Sequence, residues 1–220
     1  MWCPNDKRDF ASSQIHQVGQ INPNGEVGKT LINLVKFNNF KTIVDIGTWN
    51  GLGSTKCFLL ALQGNTTTQF ISIESNKEKN LLALKNLEDL ITNNTSILNG
   101  SILTESDISD EELYSVFPEF KTDSEFQRWH SIDMNNIKAA PYILDKIPRE
   151  IDFVLFDGGE FTTFFEFQIL FPRCTNFIAM DDVNVSKCRK MREMLLANPE
   201  WKEVCYIPER NGFSIFKHTV

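Results

Sequence analysis

The sequence predicts an α/β fold: a mostly parallel, doubly wound sheet of seven strands that ends in an antiparallel C-terminal hairpin. Three observations predict it. Short apolar runs alternate five times with segments of helical periodicity, which implies a parallel sheet covered on both faces. A glycine-rich turn stands between the first strand and the helix that follows. Two β-like runs close the chain, joined by Glu209-Arg210-Asn211-Gly212, whose Asn-Gly step is a strong hairpin signal.

Residues 1–30 read as a polar N-terminal arm, with Asn22-Pro23-Asn24-Gly25 as a turn. Leu31, Ile32, Leu34 and Val35 then give a helix its apolar face, and 41–47 is a short buried strand ending in glycine. Residues 54–62 form a helix with Phe58, Leu59 and Leu62 toward the sheet, and Gln69–Glu74 is the second strand. A helix over 77–93 carries leucines at 81, 84, 87 and 90, and 95–98 is a weak third strand. Residues 100–150 are the least regular part, mixing acidic runs with scattered aromatics. A segment of that size in a compact domain reads as a lid or acceptor-binding insertion. Regular order returns with a strand at 151–157, a helix at 161–170, a strand at 176–181 and a basic amphipathic helix at 186–198. The hairpin arms are 201–208 and 213–217. With no repeat and no linker, 1–220 reads as a single domain.

Composition narrows the class. Of 220 residues, 41% are hydrophobic, enough to bury a core without disulfides or a structural metal. Lys+Arg number 22 against 29 Asp+Glu, and the net charge of −7 argues against nucleic acid as the principal partner. No stretch approaches the roughly 18 apolar residues of a membrane span, so no membrane partner is expected. The residues from Met1 to Arg8 lack the apolar core of a secretory signal. Cys3, Cys57, Cys174, Cys188 and Cys205 are odd in number and form no C-x-x-C. They read as free thiols in a reducing, cytoplasmic compartment, which makes the N-x-S/T triplets at Asn65, Asn94, Asn99 and Asn184 chance matches. Composition leaves a homo-oligomer open.

The glycine loop runs from Asp45 to Ser54. Glycines in such a turn let the backbone approach a ligand and expose helix N-terminal N–H groups. A P-loop requires Lys-Ser/Thr after its last glycine, where this loop has Ser54-Thr55; the look-alike at 25–30 has Pro23 where the first glycine belongs. A nicotinamide dinucleotide fingerprint from Gly51 would need a third glycine where Lys56 stands. Glu74 ends the second strand, and a carboxylate at that tip lies beside the ligand crevice, where it can accept from both hydroxyls of a ribose.

The series Asp45-x-Gly47-x-x-x-Gly51-x-Gly53, then Glu74, then Gly100-Ser101 and the terminal hairpin, resembles class I S-adenosylmethionine-dependent methyltransferases over residues 30–220. The resemblance implies their Rossmann-like fold and S-adenosylmethionine as cofactor. Its donor-binding residues are then Asp45, Gly47, Thr48, Trp49, Gly51, Gly53, Ser54, Glu74 and Ser101. Two alternatives stay open: a nicotinamide-dependent oxidoreductase, and a non-catalytic binding subunit that keeps the fold.

Asp157-Gly158-Gly159-Glu160 and Asp181-Asp182-Val183-Asn184 follow the fourth and fifth strands, so both sets lie along one edge of a parallel sheet. Carboxylates converging there repel one another unless a proton or cation intervenes, and oxygen ligands of this kind suit Mg²⁺. The pattern is similar to that of metal-dependent macrocin-type sugar O-methyltransferases. That similarity implies Asp157, Asp181 and Asp182 as metal ligands, with Thr162-Thr163 and Glu166 comparably arranged. The sequence departs from that family at Gly158-Gly159-Glu160, which replaces a bulkier, acidic and aromatic neighbourhood. The implied reaction is O-methylation of a small hydroxylated acceptor, such as a sugar or sugar nucleotide, with Mg²⁺ as an assisting ion. Asp157, Glu160 and His130 are the catalytic candidates, the last two as bases. Blander roles compete: Asp182 as a helix cap, and Asp157 as a partner only for the donor's ammonium. Trp49, flanking donor or acceptor, competes with a packing role. His16 and His218 lie near the termini, and Lys187, Arg189, Lys190 and Arg192 read as a solvated helix face.

Overall fold

The computed structural model describes residues 20–219. Cys3, His16 and the first nineteen residues of the arm lie outside the described residues. The strands are β1 (Thr42–Ile46), β2 (Gln69–Glu74), β3 (Thr95–Asn99), β4 (Ile151–Phe156), β5 (Cys174–Asp181), β6 (Trp201–Ile207) and β7 (Phe213–His218). They form one sheet in the order β3-β2-β1-β4-β5-β7-β6. Strands β1 to β5 pair in parallel, and β7 runs antiparallel to both β5 and β6. From β1 the chain builds outward to β2 and β3, then returns to place β4 on the other side. The space outside the C-terminal ends of β1 and β4 is therefore a topological switch point, where α/β sheets bind ligands.

Alternation along the strands divides the core into two layers. Ile43, Phe70, Phe153, Leu155, Phe177 and Ala179 pack under α1 (Glu26–Phe37) and α2 (Ser54–Ala61). Val44, Ile46, Ile71, Ile73, Val154, Phe156, Ile178 and Met180 face the other way, toward α4 (Asp110–Val116), α5 (Ser124–Ala139), α6 (Thr163–Leu170) and α7 (Ser186–Ala197). Successive side chains point to opposite faces, so a strand buried on both sides has no polar face to spare.

Two expectations change. The helix after β2 is α3 (Lys77–Asn86), which stops short of residue 93 because Leu87 caps it, its N–H bonded to the Ala83 carbonyl. Leu81, Leu82 and Leu84 stand exposed, since α3 flanks the edge strand β3, itself only half-buried. Residues 100–150 are also not irregular: α4 and α5 fold within them. Asp123 starts α5 by accepting from the Glu125 and Phe126 N–H groups, and Ser109 starts α4 by accepting from Glu112. The two ends of this segment meet, with the Ser101 N–H bonded to the Pro141 carbonyl and the Ile143 N–H to that of Ser101.

The four cysteines among the described residues are free thiols. No helix among the described residues is long and apolar enough to cross a membrane.

Candidate functional site

The glycines after β1 serve backbone packing. Gly47 has φ +98°, and a Cβ there would lie 2.6 Å from the Asp157 carbonyl carbon and nearer still to its oxygen. Gly51 has φ +81°, and a Cβ would meet Leu87 Cδ1 at 2.6 Å. Gly53 has room for a Cβ, but its φ of −91° with ψ of −126° lies outside the regions that L residues adopt. The loop thus presses against β4 at Gly47 and against α3 and Leu87 at Gly51.

Asp45 does not reach the crevice. It shares the Ile43 face of β1 and is fully enclosed, which corrects the expectation of direct donor contact. One carboxylate oxygen accepts from Ser54 Oγ at 3.1 Å; the other accepts from Thr55 Oγ1 at 2.6 Å and Ser72 Oγ at 2.8 Å. Burial pushes its pKa up to about 7, and the three hydroxyl bonds hold back a larger rise. Ser54 is committed to this network, and Thr48 joins it through Ser72 Oγ. Asp45 therefore ties the start of α2 to β2 through these hydroxyls. Ser101 is also committed: its hydroxyl donates to the Leu103 carbonyl and accepts the Leu103 N–H.

Glu74 closes β2 at the C-terminal edge of the sheet. One oxygen accepts the Trp49 N–H at 2.7 Å and the other the Asn76 N–H at 2.8 Å. A carboxylate offers about four acceptor positions, so each oxygen keeps capacity for a hydroxyl. Burial raises its pKa against the pull of those two N–H groups. Trp49 adopts φ +51° to deliver its N–H, and its ring lies 4.0 Å beneath the Lys79 ammonium.

Asp157, Asp181 and Asp182 do converge: one side-chain oxygen of each lies within 4.8 Å of the others. The cation that this convergence demands comes from the chain. Lys187 Nζ lies 2.6 Å from Asp157 Oδ1 and 3.1 Å from Asp182 Oδ2, and the side chain is buried. The expected solvated basic face of α7 is thereby corrected. Lys187, Met191 and Leu195 are spaced four apart on the buried stripe, and Arg192 is paired with Glu203 rather than displayed to solvent. The hairpin turn supplies the remaining donors. Arg210 Nη2 lies 2.8 Å from Asp181 Oδ2, and Asn211 Nδ2 donates to Asp182 Oδ1 at 3.0 Å. The turn is held there by the Val183 N–H to the Gly212 carbonyl and the Asn184 N–H to that of Asn211. Asp182 does not cap α7, whose N-cap is Val185.

Electrostatics follow the pairing. Burial works to lower the Lys187 pKa, but the carboxylates of Asp157 and Asp182 raise it well above its ordinary value. Burial likewise works to raise Asp182, which the Lys187 ammonium and Asn211 amide hold below its ordinary value. Asp181 is pushed up to about 8 by burial and by its two acidic neighbours. A divalent ion does not fit this set of residues while the ammonium engages two of the three carboxylates.

The floor and roof of the crevice come from segments whose site roles were incompletely legible. Glu166 on α6 is buried with Oε2 unpaired, close against Gly158, where a Cβ would lie 2.6 Å away. It senses the charges of Asp133, Glu74 and Lys187, which places it between the two acidic groups already described. Helix α5 crosses above: Asp133 Oδ2 accepts the Phe161 N–H at 3.0 Å, and Asn136 Oδ1 accepts from Asn76 Nδ2 at 3.2 Å. His130 sits in an aromatic nest, edge-on to Phe120 and Phe161, with Nε2 unpaired and its pKa lowered by burial. Glu160 is half-buried and close enough to Lys187 to raise that ammonium's pKa.

Burial pushes the Glu166 pKa up to about 8. The folded protein therefore keeps a proton that the unfolded chain releases near its ordinary value, and stability should fall as pH rises from about 4.5 to 8. In ligand-free protein, Glu166→Gln should reduce that decline, read as urea midpoints at several pH values. An unchanged slope would contradict the assignment.

No protein-family model matches the sequence, and no curated protein does. Solved structures share the fold. An O-methyltransferase from Bacillus cereus, in complex with S-adenosylhomocysteine, is 16% identical with a TM-score of 0.57, over 88% of this chain and 80% of that one. The O-methyltransferase TomG from Streptomyces achromogenes, involved in tomaymycin synthesis and bound to S-adenosylmethionine, is 14% identical with a TM-score of 0.57, over 88% and 80%. A precorrin-6y C5,15-methyltransferase from Geobacter metallireducens is 14% identical with a TM-score of 0.54, over 88% and 86%. At these identities the likeness establishes the Rossmann-like methyltransferase fold.

Proposed function

We propose that this chain is an S-adenosylmethionine-dependent O-methyltransferase acting on a small hydroxylated acceptor such as a sugar. The observation that carries the reading is Glu74, held by the Trp49 and Asn76 N–H groups at the tip of β2 beside the switch point. A carboxylate with free acceptor capacity beside the switch point, where α/β sheets bind ligands, supports a donor ribose there. A nicotinamide site is disfavoured by Lys56 in place of the third glycine and by the reversed β7 between β5 and β6.

When bound, S-adenosylmethionine supplies an electrophilic methyl group on a sulfonium centre. Glu74 accepts its ribose hydroxyls, and the unpaired Oε2 of Glu166 is a buried acceptor suited to its ammonium. Gly47 lets the loop close against Asp157, and α5 covers the crevice and excludes water. Half-buried Trp129 offers an apolar face, and half-buried Asp133 and Glu160 offer acceptors, that suit a sugar. Glu160 would take the proton of the acceptor hydroxyl and so raise that oxygen's nucleophilicity toward the donor's methyl group. His130, kept neutral by burial, is the less direct candidate because aromatic rings surround it.

Calorimetric titration with S-adenosylhomocysteine, with NADH as control, tests the reading. Binding of the first alone is expected, and Glu74→Ala should weaken it by the ~1.5–3 kcal/mol of a charge-assisted hydrogen bond. Binding of NADH alone, or unchanged affinity in the variant, contradicts it.

A further inference from the structure

We propose that the Lys187 ammonium is the resident cation of the Asp157–Asp181–Asp182 cluster, standing in for a divalent metal, so that this chain holds the cluster without Mg²⁺. The pairing within the cluster is independent of which cofactor the crevice takes.

Each of the three carboxylates already receives a donor from the chain. Asp157 and Asp182 share Lys187 Nζ, Asp182 also accepts from Asn211, and Asp181 accepts from Arg210. The donors come from two separate elements, the first turn of α7 and the β6–β7 turn, and both converge on the ends of β4 and β5. Mg²⁺ requires near-octahedral oxygens at about 2.0–2.1 Å. To gather these oxygens it would have to separate the ammonium from both carboxylates while lying a few ångströms from its charge.

Lys187 has no easy retreat. Its Cα lies on the same helical stripe as Met191 and Leu195, both buried in the core, so the stem rises from the packed side of α7. A lysine at the solvent edge of a helix can swing its head into water; one rooted here carries its charge into the cluster or buries it unpaired. The backbone is shaped to the same end. Asp182 and Arg210 are two of the three described non-glycine residues with positive φ, at +61° and +57°. Each holds a conformation that L side chains disfavour, and each contributes to this charge network.

The test uses Mn²⁺ as a spin-active probe of the purified chain, followed by electron paramagnetic resonance. The wild-type protein should show no one-to-one Mn²⁺ site. Lys187→Ala should gain one, and adding Asp181→Asn should remove it again. If Lys187→Ala folds poorly, its melting temperature is read instead: Mg²⁺ should raise it and leave the wild type unchanged. One-to-one binding by the wild type that Asp182→Asn abolishes would overturn the proposal. So would a folded Lys187→Ala that neither binds Mn²⁺ nor is stabilised by Mg²⁺. S-adenosylhomocysteine titration of the same samples reports on the donor site alone, which separates failure of the functional reading from failure of this one.

Discussion

Gly47→Ala should abolish S-adenosylhomocysteine binding and destabilise the fold. Alanine at φ +98° is strained, and its Cβ would be driven into the Asp157 carbonyl, a backbone group that cannot rotate away. Left-handed strain costs about 1–2 kcal/mol and overpacking about 1–3, so a loss near 3 kcal/mol is expected in urea unfolding. The loss of affinity should exceed what stability alone explains. Separating the loop from β4 displaces the Trp49 N–H from Glu74, and both loops border the crevice. Gly64→Ala is the internal control, because that glycine has a comparable φ of +78° but nothing within 4 Å of an added Cβ, so it carries the left-handed strain without the overpacking. If both variants bind alike, the close approach at Gly47 is not what shapes the site.

Lys187→Met should be the most destabilising change on the other side of the crevice. It keeps the apolar stem but leaves Asp157 and Asp182 facing each other with no ammonium between them. Removing one partner of a buried ion pair costs about 3–5 kcal/mol. Adding Asp182→Asn should recover part of that loss, since the second change removes a charge the first left unpaired. Urea unfolding in the presence of a chelator measures both, so that a captured metal ion does not mask the effect. A Lys187→Met loss below about 1 kcal/mol, the range of an exposed pair, would mean the ammonium is not desolvated.

Much of the fold was legible because strands buried on both faces leave a plain trace. The runs ending at Ile46, Glu74, Phe156 and Asp181 are apolar, short and bounded, and the Asn211-Gly212 step announces the hairpin. Position along the sheet edge then follows from topology, which is why Glu74 and the three aspartates could be placed together. Contact partners were less legible. Asp45 looks like a crevice acid by its place in the chain, yet strand alternation puts it with Ile43 on the α2 face. Lys187 belonged to a basic run, and only its spacing of four and eight from Met191 and Leu195 separates it from Arg189 and Lys190. Helix α5 carries Phe126, Trp129, His130, Asp133 and Ile137 at helical spacing. Its charged and polar majority hid that stripe, because only Ile137 is fully buried. The roles of Arg210 and Asn211 had no local signal: a turn sequence says where a chain reverses, and nothing about what lies under the turn.

A positive charge that is part of the polypeptide differs in kind from one drawn from the medium. An ion is in exchange: its occupancy tracks concentration, and competing phosphates can strip it. Lys187 is present at full stoichiometry from the moment α7 packs. The electrostatic character of this edge of the sheet is thus inherited with the sequence and is insensitive to fluctuations in the surrounding ion pool. The same permanence removes a means of control, because the cluster cannot be switched by supplying or withholding a metal.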